Sequence, residues 1–203
     1  MTPHRRTAAM FLSPLAPMLR RSGIDAATVF AHHGIALHDT MNPEAQVTVL
    51  DTAALLEECE GLLGDPSLGI NMARHAEYST FGALGLALAA GGDLRSVLNR
   101  IVRFHRLISD AASTELSEDD DLIGLHLIPA EGPKPHPQAL LFVLAIIQRM
   151  VRIRLPGHGD PAQVMAPEVP EQMAAAMARY FRCAVIQGDH FALFFHRRAS
   201  QLQ

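Results

Sequence analysis

The chain has 203 residues, 49% of them apolar, and a formal net charge of −4. A chain of this length buries a sizeable core as one domain or two closely joined lobes, and its composition excludes a disordered tract. The acidic balance excludes a nucleic-acid clamp spread over the whole surface, because such a clamp neutralises phosphates with many cations and Lys134 is the sole lysine here.

The N-terminus is basic and then apolar, but Pro14 and Pro17 interrupt the apolar part, so residues 1–11 are expected to be a flexible lead and not a signal peptide. Pro14 then opens a short helix through about Arg21 that Gly23 ends, and Asp25 caps a second helix to about His33. His32 and His33 point to different sides, and no acid or cysteine stands at ligand spacing beside them, so they read as exposed helix-end histidines near a C-terminal dipole. Residues 35–49 are loop-like. Thr48 or Asp51 opens the next helix, which carries Leu55, Leu56, Cys59 and Leu62 to the stop at Gly64-Asp65-Pro66, and a shorter helix follows to about Ala76.

Two helical patterns fill the stretch from Tyr78 to Ser109. The first is so rich in glycine and alanine that another backbone can approach it closely. Asp93 caps the second, where Leu94, Leu98, Ile101 and His105 recur at helical spacing and Arg95, Asn99 and Arg103 fall opposite. After Asp110 the character changes. Alternation over 111–116 and 122–129 predicts a β-hairpin whose tip is the acidic run 117–121, which lacks the spacing of a calcium loop and reads as a solvated turn. A long apolar helix is predicted from Pro137 to Leu155, a short strand over 162–166, an amphipathic helix over 171–181, and final strands over 184–187 and 191–196. The fold class is α+β: a helical N-terminal half, then a small, mainly antiparallel sheet backed by helices.

Chemistry-bearing motifs are sparse. No nucleophile elbow, phosphate loop, zinc-protease or dinucleotide motif is present, and no cofactor or metal is expected. Cys59 and Cys183 lie far apart within apolar patterns, predicting buried free thiols and a reducing cytoplasm. His105 is the most informative of the 11 histidines, because it sits on an apolar helical stripe. It is either a core histidine satisfied by a backbone carbonyl or a polar contact inside a ligand pocket, with acid–base catalysis alongside Glu115 or Asp110 as a third reading. The numerous methionines, Met72 and Met150 among them, suit core filling or an adaptable apolar pocket.

Three segments in order resemble the N-terminal, arabinose-binding-type domain of AraC/XylS-family transcription regulators. They are Phe81 to Ala87 with the helix ending Arg103-Phe104-His105-Arg106-Leu107, then Pro137 to Arg149, and then Tyr180 to Val185 followed by Phe191 to Phe195. The similarity covers about residues 12–199, divisible into a helical lobe of about 12–109 and an α+β lobe of about 110–199. The resemblance implies an effector-sensing and dimerisation domain that forms homodimers and acts on transcription through a helix-turn-helix domain; no such domain lies within residues 1–203, so DNA contact is not expected of this chain. The effector is a small molecule that the family's name does not identify. A pocket between the Asp93 helix and the sheet is expected, with Phe81, His105, Ser109 and Phe142 around it. The competing readings are a small enzyme using His105 and a dimerisation module without a ligand.

Overall fold

Most helices begin where a side-chain acceptor meets an unpaired N–H of the first turn or beside a proline, and several end at residues with a left-handed backbone. The computed structural model describes residues 5–76, 92–105 and 109–197. The predicted glycine-rich helix, with Phe81, lies outside the described residues. Helices α1 (Leu15–Arg21) and α2 (Ala26–His32) form a hairpin in which the Asp25 carboxylate accepts from Ala27 N at 3.2 Å. Thr48 Oγ1 accepts from Asp51 N at 3.1 Å to start α3 (Val49–Leu63), which Gly64 ends at a φ of 57°. Helix α4 (Leu68–His75) follows, and Asp93 Oδ1 accepts from Ser96 N at 2.7 Å in the first turn of α5 (Leu94–His105). Leu94, Val97, Leu98, Ile101 and His105 are buried along α5, as the stripe predicts, with Arg95, Asn99 and Arg103 exposed.

Two expectations about the N-terminal half are corrected. The lead is not free: Arg6–Ala8 form strand β1, paired antiparallel with β2 (Gln46–Thr48) inside the segment expected as loop, and a turn of 3-10 helix over Ala9–Leu12 continues into the core. A three-residue strand whose partner lies some 40 positions away leaves no local periodicity to read. His32 and His33 also have an acid after all. Glu58 of α3 meets His33 Nε2 at 2.6 Å and His32 Nδ1 at 3.2 Å, and these contacts hold its carboxyl below the usual range.

The sheet has the order β3-β4-β7-β5-β6. Strands β3 (Ala112–Glu118), β4 (Leu122–Pro129), β7 (Phe191–His196) and β5 (Gln163–Ala166) pair antiparallel in turn, and β6 (Ala184–Gln187) runs parallel to β5 through the crossover helix α7 (Glu171–Phe181). The alternation is that of a half-buried sheet: Ile123, Leu125 and Leu127 of β4 and Phe191, Leu193 and Phe195 of β7 are buried. The acidic tip is a local turn in which Asp119 Oδ1 accepts from Asp121 N and Leu122 N. Among the described residues both cysteines are free, and burial pushes the Cys59 thiol up to about 12.

Helix α6 (Pro137–Arg154) is the centre of the core, with Leu141, Leu144, Ala145 and Val151 wholly buried. It runs in the same sense as α4 and touches it backbone to backbone. The Gln138 side chain, itself fully buried, accepts from Gly69 N at 2.8 Å and donates to Glu60 Oε1 at 2.9 Å and Pro66 O at 3.0 Å. At the other end Arg149 donates to Ala73 O at 2.8 Å and Ala76 O at 2.6 Å, answering carbonyls left open where α4 stops. A Cβ on Gly69 would sit 2.3 Å from Gln138 O and 2.8 Å from Phe142 N, both backbone atoms that cannot swing away. Gly69→Ala is therefore expected to destabilise the protein by about 3 kcal/mol despite alanine's better helix propensity, read as a lower midpoint in urea.

Candidate functional site

A cavity of about 100 Å³ opens where α3, α5 and α6 converge on the start of β3. Each wall follows from a local pattern. Val49, Thr52 and Leu56 share the inward face of α3 at helical spacing, Ile101 and His105 do so on α5, and Ala139, Phe142, Val143, Ile146 and Met150 do so on α6. The N-terminal segment closes the cavity as a strap, contributing Thr7, Phe11 and Leu12, with the Phe11 ring edge-on to Phe142 at 5.9 Å between centroids. The strap is latched by Arg5, which donates to Asp110 O at 2.6 Å and Glu131 O at 2.8 Å, while Arg6 N donates to the Asp110 carboxylate at 2.6 Å. An isolated bridge between Thr7 and Ser109 continues the pairing.

Three of the four residues expected around a pocket line this one cavity: His105, Ser109 and Phe142. Phe81 lies outside the described residues. The cavity lies differently from expectation, because α3, the strap and α6 form most of its described wall, to which the sheet adds Ala112. Ser109 is also less available than expected, since its Oγ accepts from Ala111 N at 3.1 Å and donates to Arg6 O at 3.4 Å.

His105 is buried, and its Nδ1 has no hydrogen-bond partner among the described residues, so the carbonyl contact of a satisfied core histidine is not made there. Burial pushes its pKa below the ordinary value, which keeps the ring neutral at pH 7. Thr52 Oγ1 is enclosed and unpartnered in the same way. Each such atom costs roughly 1–3 kcal/mol relative to a paired one, so a guest that reached either would gain a hydrogen bond. His136, another lining residue, is already engaged: its Nδ1 accepts from Gln138 N at 3.3 Å to cap α6.

Sequence reading missed Thr52, Phe11 and His136. Thr52 carried a signal, lying three and four positions before Leu55 and Leu56 on the buried face of α3, whereas the strap's place became visible only through its distant pairing. The acids considered for catalysis do not serve His105. Asp110 holds Arg6 N, and Glu115 is exposed on β3 opposite His126.

A separate polar chain runs along the outer side of the sheet. Ser117 Oγ lies 2.7 Å from His126 Nε2, His126 Nδ1 lies 2.8 Å from His190 Nε2, and His190 Nδ1 lies 2.5 Å from the Asp189 carboxylate. Gly124 makes room for it, since a Cβ there would come within 2.6 Å of Ser117 Oγ. Burial and the neighbouring His190 both lower the His126 pKa. Among the described residues no group of three or more His, Cys, Asp or Glu is placed to hold a metal ion, and no helix is long and apolar enough to cross a membrane.

Comparison with known proteins gives a consistent picture. The profile described as "Arabinose-binding domain of AraC transcription regulator, N-term" matches residues 23–202. The ornithine utilization regulator of Pseudomonas aeruginosa is 22% identical over 110 residues, covering 54% of this chain and 32% of that protein. The crystal structure of the transcriptional regulator CdpR from the same organism shares the fold with a TM-score of 0.63 at 17% identity, covering 94% of this chain and 56% of that one. The chain thus spans about a third of the curated relative and somewhat over half of the crystallised one.

The pH dependence of stability tests the burial of His105. Its folded pKa is depressed, so the unfolded chain takes up a proton first as pH falls below the ordinary value of 6.5. Stability from this residue is complete above that pH and is lost progressively below it. The wild-type urea midpoint is expected to drop between pH 7.5 and 5.5, and a His105→Gln variant to drop less; equal slopes would contradict a buried neutral ring. Part of the slope should survive in the variant, because His126 and His136 are depressed in the same sense.

Proposed function

The chain belongs to the family of N-terminal arabinose-binding domains of AraC transcription regulators, and from that membership we propose that it is the effector-sensing domain of such a regulator, with the α3–α5–α6 cavity as its small-molecule site. The observation that carries this reading is a pair of buried polar atoms, His105 Nδ1 and Thr52 Oγ1, that have no partner among the described residues and belong to side chains lining a mainly apolar cavity. Empty structural cavities are apolar, whereas ligand pockets combine apolar walls with a few convergent polar groups. Phe142 supplies an aromatic wall, and Ser109 shapes the rim through the strap rather than by direct contact.

The strap and α5 both contribute to the site, so a ligand that fits only one arrangement of these elements shifts the population toward it. The change is then available to a DNA-binding unit elsewhere in the regulator, which works as a homodimer in the cytoplasm. DNA contact by a separate unit agrees with the net charge of −4 on this one. The protein is a binding module and not an enzyme, a reading supported by the absence of an acid paired with His105 among the described residues and by the regulators it resembles.

A thermal-shift screen of small acids, amino acids, alcohols, phenols, lipids and sugars should return compounds that raise the unfolding midpoint, by an amount equivalent to about 2.7 kcal/mol at a concentration 100 times Kd. Ala139 lines the cavity on the first turn of α6, so an Ala139→Leu variant should fold but lose that shift. A shift retained in the variant would move the site elsewhere, and no shift from any compound would refute the effector reading.

A further inference from the structure

We propose that the cavity selects an uncharged, compact, mostly apolar molecule bearing a single hydroxyl group, of the phenol or small cyclic alcohol class; this rests on the reading of the cavity as the effector site. Size comes first. A cavity of about 150 Å³ holds benzene, and the space here is about 100 Å³. Met72 and Met150 stand in the wall, and their flexible thioethers can give way enough to admit one ring. A two-ring compound asks for a larger displacement of the wall still.

Charge comes second. Among the described residues the lining carries no Asp, Glu, Lys or Arg, and burial keeps His105 neutral. An ammonium or carboxylate entering such a wall gives up its hydration without a counter-ion, a cost that free amino acids would bear twice. A pentose fails for a related reason. Ser109 and His136 are already bonded within the protein, so among the described residues Thr7, Thr52 and His105 are left to satisfy a ring of hydroxyls, and each unmet one weakens binding by about tenfold.

Hydrogen-bond type comes third. The unpartnered atoms are a threonine hydroxyl, which both donates and accepts, and a histidine Nδ1, which donates or accepts according to tautomer; both are enclosed, so a guest reaches them by displacing the wall slightly. A ligand hydroxyl has one donor and an accepting oxygen, so it pairs with Nδ1 in either tautomer. A hydrocarbon would leave both protein atoms as they are.

Titration of the full chain with phenol, toluene, L-arabinose and L-ornithine, followed by NMR chemical shifts, tests this directly. Phenol is expected to bind about fivefold to tenfold more tightly than toluene, and the two polar probes not to bind at the same concentrations. Thr52→Val, which preserves shape, and His105→Phe should each bring the phenol-to-toluene ratio toward one while toluene binding persists. Equal affinity for phenol and toluene in the wild type would overturn the hydroxyl requirement. Binding of arabinose or ornithine, abolished by Ala139→Leu, would overturn the ligand class and leave the effector site standing. Silence from all four probes overturns the class, and the wider screen decides separately whether the site itself survives.

Discussion

The contact between Gly69 and Gln138 is the constraint on which the arrangement depends. It places the backbones of α4 and α6 closer than any side chain would permit, and the Gln138 amide reaches α3 as well through Glu60. A fully buried amide is costly unless each group is answered, and here the oxygen has one partner and the nitrogen two. With that end of α6 fixed and Arg149 fastening it to the far end of α4, the residues between them have little freedom. Ala139, Phe142, Val143 and Ile146 therefore face the cavity because of a junction that is not itself part of the cavity.

Local chemistry made much of this visible in the amino-acid sequence. Asp25, Thr48 and Asp93 announced helix starts because a capping oxygen acts within three residues of its own position. The 171–181 helix and the 184–187 and 191–196 strands were readable because 3.6-residue and two-residue periods are properties of short windows. Of the site, His105 stood out as a polar residue on an apolar stripe, and Phe142 as part of a helix apolar around most of its girth. What escaped depends on distance along the chain. Strand β1 needs residues 46–48, Glu58 meets histidines some 25 positions earlier, and no short window contains both partners. Thr52 escaped for a different reason, since a threonine within a helix looks the same whether or not its hydroxyl finds a partner.

The histidines show how one side chain takes opposite roles in one domain. His105 is isolated among apolar groups, and its neutrality is a consequence of desolvation alone. His126 is also held toward the neutral form, but within a chain of bonds where each nitrogen has a named neighbour, and there His190 adds to the effect of burial. Among the described residues, the first environment leaves a capacity for bonding unused. The second uses all of it on the outer side of the sheet, where it fastens the 188–190 turn to β4.

The latch of the strap has a property that bears on how its strength can be altered. Both acceptors of the Arg5 side chain are main-chain carbonyls, those of Asp110 and Glu131. Every amino acid brings the same carbonyl, so replacing residue 110 or 131 changes the neighbourhood of the latch without removing either receptor for the guanidinium. Control over the two Arg5 bonds is consequently one-sided: tuning them by side-chain replacement falls on position 5 itself, whereas at position 110 a replacement leaves them in place and removes only the carboxylate that accepts from Arg6 N.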